Sequence, residues 1–147
     1  MTYATGDLFA QYDLGQSICI TTNGVINSRG RVVMGRGCAL EAAERWPYLP
    51  KLVAEHVREH GNVPGLILPR IYTFPVKRHW DEKATLALIR ESATNLIGLF
   101  HATGKTERLY IPRPGCGNGR LAWRDVRPVL EEVLGAYTWP CIITNKE

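Results

Sequence analysis

"IPRPGCGNGRLAW", residues 111–123, begins as a short hydrophobic strand and then sets Gly115, Gly117 and Gly119 within five positions. Glycine loses more conformational freedom on folding than any other residue, so such a cluster needs a physical reason. A tight turn or a strand bulge would supply one. A backbone that must come close to a ligand would supply another.

The surrounding chain narrows the choice. Its 147 residues suit one domain, 1–147, with a sizeable core. No apolar run is long enough to span a membrane, and "MTYATGDLFAQ" lacks the basic start and apolar stretch of a secretory signal. Cys19, Cys38, Cys116 and Cys141 are widely spaced and form no C-x-x-C, so neither a zinc site nor a disulfide framework is indicated. These features fit a cytoplasmic protein without a membrane partner. The formal net charge of +4 is compatible with phosphate-bearing partners but identifies none.

Strand and helix patterns alternate. "SICITTN" reads as a buried strand ending at the Asn23-Gly24 turn signal. "GCALEAAERW" reads as a helix stopped by Pro47, and "LPKLVAEHVREHG" as a second helix stopped by Gly61. "GLILPRIYTFPV" reads as a hairpin or a broken strand. "ATLALIRESATNLIGLFHATG" is the clearest amphipathic helix. "RLYIP" and "CIITN" are strands on either side of the helix "WRDVRPVLEEVLGAY", where Pro128 is expected in the first turn. Such alternation predicts a largely parallel sheet with helices on both faces. Ligands of these folds bind beyond the carboxyl ends of the strands. Both glycine-rich stretches, "VMGRGCA" and "RPGCGNGR", are expected there.

A glycine loop feeding a helix offers N–H groups and a positive dipole end, which suit phosphate. Two such loops at one sheet edge could clamp a diphosphate. Neither completes a P-loop or a G-x-G-x-x-G dinucleotide fingerprint.

Taken together, "TGDLF", "TTNG", "VMGRGCA" and "IPRPGCGNGRLAW" resemble the macro domain family of ADP-ribose-binding proteins over nearly the whole chain. The resemblance is to the branch of terminal ADP-ribose protein glycohydrolase and the DNA ADP-ribosyl glycohydrolase antitoxins. It implies a three-layer α/β/α sandwich with a mixed, largely parallel sheet. It also implies that ADP-ribose or an ADP-ribosylated macromolecule is the partner, with ADP-ribosylated DNA as one candidate. A monomer needing no cofactor or metal is expected.

The resemblance assigns roles to residues. Asp7 matches the acid that accepts from the adenine amino group, with Leu8 beside it; an N-cap is the competing role for Asp7. Asn23 matches the asparagine near the distal ribose. Gly35, Gly37, Cys38 and Ala39 match the first loop. Gly115, Cys116, Gly117, Asn118, Gly119, Arg120 and Leu121 match the second. "FPVKRHW" resembles the antitoxin segment with a catalytic lysine, here Lys77, whose amine is expected to have a lowered pKa through Arg78 and other arginines. Cys38 and Cys116 are not read as nucleophiles, and His79 and Trp80 are read as surface packing.

Two departures stand out. Gly119 occupies the place of an aspartate that assists the lysine in terminal ADP-ribose protein glycohydrolase, and Asp125 does not match it. Val76 precedes Lys77 where the antitoxins carry a small hydroxyl residue. The leading expectation is a lysine-dependent ADP-ribosyl glycohydrolase. A non-catalytic ADP-ribose reader and an ADP-ribose 1''-phosphate phosphatase remain as alternatives.

Overall fold

The computed structural model describes residues 1–144; Asn145, the expected end of the last strand, lies outside them. In chain order the elements are β1 (Thr2–Thr5), α1 (Leu8–Asp13), β2 (Ser17–Asn23), α2 (Gly37–Arg45), α3 (Leu49–His60), β3 (Leu66–Leu68), β4 (Ile71–Lys77), α4 (Leu86–Ala102), β5 (Leu109–Pro112), α5 (Trp123–Leu134) and β6 (Pro140–Thr144).

The strands form one sheet in the order β1-β6-β5-β2-β4-β3. Every neighbouring pair is parallel except β3–β4. Because β2, β4 and β6 are covered on both faces, they read as continuous runs of buried residues rather than as alternating ones. One apolar cluster packs Ile89, Ala93, Leu96 and Phe100 of α4 and Val126, Leu130 and Leu134 of α5 against Tyr72, Phe74, Ile111 and Ile142. The opposite cluster packs Phe9 of α1, Ala42 of α2 and Leu49 and Val53 of α3 against Ile18, Ile20, Ile71 and Ile143. The architecture is therefore an α/β/α sandwich. No helix among the described residues is long and apolar enough to cross a membrane.

"GLILPRIYTFPV" forms the antiparallel β3–β4 pair, with Arg70 in the left-handed region at φ 66° in the connecting turn. Pro75 is tolerated in β4 for a positional reason. Thr73 N donates to Gly65 O, so the backbone nitrogen two residues on points to the same side. There β3 has already ended, since it pairs only opposite Ile71 and Tyr72.

Two elements differ from the sequence expectation. Thr2–Thr5 is an edge strand, and its mostly exposed residues show no alternation. Pro128 lies not in the first turn of α5 but inside the helix, because the helix begins at Trp123 after Ala122. The carbonyl it leaves without a partner is that of Arg124. Arg124 and Pro128 are both exposed, so water can take that bond.

Candidate active site

The two glycine loops meet at the carboxyl end of the sheet. They border a cleft of about 720 Å³ whose floor includes Thr21, Thr22 and Asn23 from the end of β2.

On one side lie Gly35, Arg36, Gly37, Cys38 and Ala39. Arg36 precedes α2 and caps it with no side-chain hydrogen bond. The first amides of a helix have no internal acceptors, so those of Gly37, Cys38 and Ala39, residues of the cleft lining, are left for an outside acceptor at the positive end of the helix dipole. On the other side lie Gly115, Cys116, Gly117, Asn118, Gly119 and Leu121. This loop is closed by Arg120 N donating to Gly117 O at 3.0 Å and Leu121 N to Gly115 O at 2.9 Å. Among the described residues, the amides of Gly117, Asn118 and Gly119 make no backbone hydrogen bond. The loops touch: a Cβ on Gly37 would stand 3.2 Å from Asn118 Nδ2.

The three clustered glycines separate by cause. Gly115 has φ 76°, and a Cβ there would lie 2.9 Å from Ile89 Cδ1. A Cβ on Gly119 would lie 2.5 Å from Gly115 O and 2.8 Å from Ala84 Cβ. These two glycines serve the loop itself. Gly117 has no positive φ, and a Cβ there would meet nothing within 4 Å. Neither the turn nor the packing requires a glycine at 117. The same geometry explains why an aspartate cannot stand at 119 in this loop: its Cβ would overlap backbone.

Lys77 ends β4 on the cleft wall beside Val76. A register shift at Thr22/Asn23 brings Asn23 opposite Lys77 in the β2–β4 ladder. Asn23 is held on both sides of its amide, donating from Nδ2 to Val33 O at 2.8 Å and accepting from Val25 N at Oδ1 at 3.0 Å. Lys77 Nζ donates to Trp80 O at 2.9 Å. Partial burial, followed by the Arg120 and Arg36 guanidinium groups, holds the Lys77 ammonium below the usual lysine range, while Asp81 pulls the other way. Arg78, expected from the sequence to contribute, is not among the causes.

Both cleft cysteines are poor nucleophiles. Burial pushes the Cys38 thiol up, and its Sγ lies 3.3 Å from Thr21 Oγ1. Burial also raises Cys116, with Arg113 opposing. A protonated thiol is not the reactive species. Among the described residues, no group of three His, Cys, Asp or Glu side chains could hold a metal ion.

Three expected site residues stand apart from the cleft lining. Asp7 caps α1, accepting from Phe9 N at 3.1 Å. It follows Gly6, whose N donates to Thr144 O, next to the cleft residue Ile143. Leu8 is buried in the core beneath α1. Arg120 is exposed, with φ 63°, and its Nη2 donates to Asp81 O at 3.4 Å. Conversely, Arg36, Trp80, Arg113 and Trp123 line the cleft without having been singled out as binding residues. Trp80, read from the sequence as surface packing, is 50% exposed with its ring near that of His79, and it also lines the cleft. The spacing of Arg36 between two loop glycines was the available signal for it.

No family model matches the chain. It superposes on the macrodomain of Mycobacterium tuberculosis DarG with a TM-score of 0.78, at 24% identity, over 99% of this chain and 97% of the other. The chain has the macro domain fold. It is 29% identical over 140 residues to the DNA ADP-ribosyl glycohydrolase of Mycobacterium tuberculosis, covering 86% of this chain and 36% of that protein. It is also 29% identical over 141 residues to the ADP-ribose glycohydrolase OARD1 of Bos taurus, covering 92% of this chain and 85% of that one. The chain thus spans about a third of the length of the DNA ADP-ribosyl glycohydrolases it resembles.

Proposed function

We propose that this macro domain binds ADP-ribose in the cleft and hydrolyses the bond between its distal ribose and a modified macromolecule. The observation that carries the reading is the meeting, on one cleft with Lys77 on its wall, of the first turn of α2 with a glycine loop whose amides 117–119 make no backbone hydrogen bond among the described residues. The amides of 37–39 and of 117–119 take the diphosphate, as helix ends and glycine loops do. Gly117 and Gly35 leave room for its close approach. Asn23 is fixed beside Lys77 and orients the distal ribose.

Lys77 supplies the chemistry. Its neutral amine places a lone pair on the anomeric carbon as the bond to the leaving group breaks. The leaving group departs with the electron pair of the broken bond and takes up the proton that the alkylated amine loses. Water then cleaves the carbon–nitrogen bond, releasing ADP-ribose and restoring the amine. A lowered lysine pKa raises the fraction of free amine available for this step. The names of the relatives, DNA ADP-ribosyl glycohydrolase and ADP-ribose glycohydrolase, support the same reaction class.

The test is incubation with ADP-ribosylated protein and with ADP-ribosylated DNA, scoring free ADP-ribose. Release from either supports the proposal. Binding of ADP-ribose with release from neither would make the domain a reader.

A further inference from the structure

Trp80 lines the cleft beside Lys77. It is half exposed and shares that lining with Arg36, Arg113 and a second indole, that of Trp123. It stands three residues after Lys77, and its own carbonyl receives the Lys77 Nζ hydrogen bond at 2.9 Å. The ring is backed rather than loose. The His79 ring lies 5.6 Å from it, centroid to centroid, at an interplanar angle of 31°. His79 is in turn fixed by contact with the Asp81 carboxylate. The segment is tied to the second glycine loop by Ala84 N donating to Gly119 O at 3.0 Å and by Arg120 Nη2 donating to Asp81 O.

We propose that Trp80 is a specificity-determining residue that stacks on a planar group joined to the anomeric carbon of the distal ribose. The inference rests on the proposed function: if the anomeric carbon reacts at Lys77, the departing group lies beside the residue whose carbonyl holds that amine. An exposed, backed aromatic face favours a flat heterocycle over a flexible carboxylate chain, because every base offers a π-face. The occupant is therefore a nucleobase-like ring, while the diphosphate stays with the loop amides.

The experiment uses the Lys77→Ala protein, to prevent turnover, and three ligands titrated by calorimetry. These are free ADP-ribose, ADP-ribose linked to a nucleobase, and ADP-ribose esterified to a glutamyl peptide. The base-linked ligand should bind at least about tenfold more tightly than free ADP-ribose, the order that one stacked base contributes. Adding Trp80→Ala should remove most of that gain, and Trp80→Phe should retain part of it. Equal affinity of the base-linked and free ligands would overturn the proposal, as would a Trp80→Ala loss that is the same for all three. Failure of free ADP-ribose to bind either this protein or the wild type would instead sink the functional reading, and the role of Trp80 with it.

Discussion

Asn23 and Lys77 stand opposite one another at the end of the β2–β4 ladder, one step beyond a register shift. That shift sets the asparagine and the lysine at one level of the ladder, both on the lining of the cleft. Asn23 cannot turn away, because both ends of its amide are committed to backbone partners. Asn23→Ala removes the acceptor for Val25 N and the donor to Val33 O at a buried position. It should lower stability by about 1–3 kcal/mol as well as turnover. Loss of turnover with unchanged melting would assign Asn23 to substrate alone.

Free ADP-ribose should bind with a Kd on the order of micromolar, near −8 kcal/mol. AMP should bind more weakly, since it has neither the second phosphate nor the distal ribose. Calorimetry giving equal affinities would remove the two-loop clamp.

The glycine cluster predicts a contrast between two substitutions. Gly117→Val should melt close to wild type yet lose ADP-ribose affinity by at least about tenfold, since a Cβ at 117 meets nothing of the protein itself. Gly119→Ala should instead destabilise by about 1–3 kcal/mol, because its methyl overlaps Gly115 O. Paired melting and titration curves check both. A Gly117 variant that unfolds would return this glycine to the turn.

Asp7 has two roles to separate. Asp7→Ala removes the cap of α1, costing about 1 kcal/mol of stability. If the carboxylate also accepts from adenine, ADP-ribose binding should weaken by roughly ten- to a hundredfold, the range of a charge-assisted hydrogen bond. Asp7→Asn keeps the cap and loses the charge. Its melting should be near wild type while its preference for ADP-ribose over the hypoxanthine analogue falls. An unchanged preference would leave Asp7 as a cap only.

Much of this arrangement was legible in the sequence. The amphipathic stripe of α4 and the buried run of β2 gave the layers, and alternation gave parallel pairing. Glycine spacing located both loops because loop geometry is local. Two kinds of feature were hidden. β1 is an edge strand without alternation, and it joins the sheet only through β6 at the far end of the chain. The electrostatics of Lys77 depend on Arg36 and Arg120, which are distant in sequence, while the adjacent Arg78 is not among the causes of its shift. A neighbour in the chain is a poor guide to a neighbour in space at the end of a strand, where successive side chains point to opposite faces. Trp80 was hidden for the related reason that a turn decides which way its ring faces.

The lowered pKa of Lys77 makes a directional prediction. If the free amine reacts, turnover should rise with pH through an acid limb lying below the ordinary lysine range. Removing a nearby cation stabilises the ammonium, so Arg120→Ala or Arg36→Ala should shift that limb to higher pH. A limb that stays in place or moves down in both variants would separate the pH dependence from Lys77.

If Lys77 performs chemistry on a ligand held mainly by backbone amides, two measurements on Lys77→Ala must diverge. Calorimetry should find ADP-ribose affinity little changed, while release of ADP-ribose from modified protein or DNA falls by at least about a hundredfold. Lys77→Arg should fail almost as badly, because a guanidinium keeps the charge but cannot become a free amine. Turnover near the wild-type level in either variant would contradict the account.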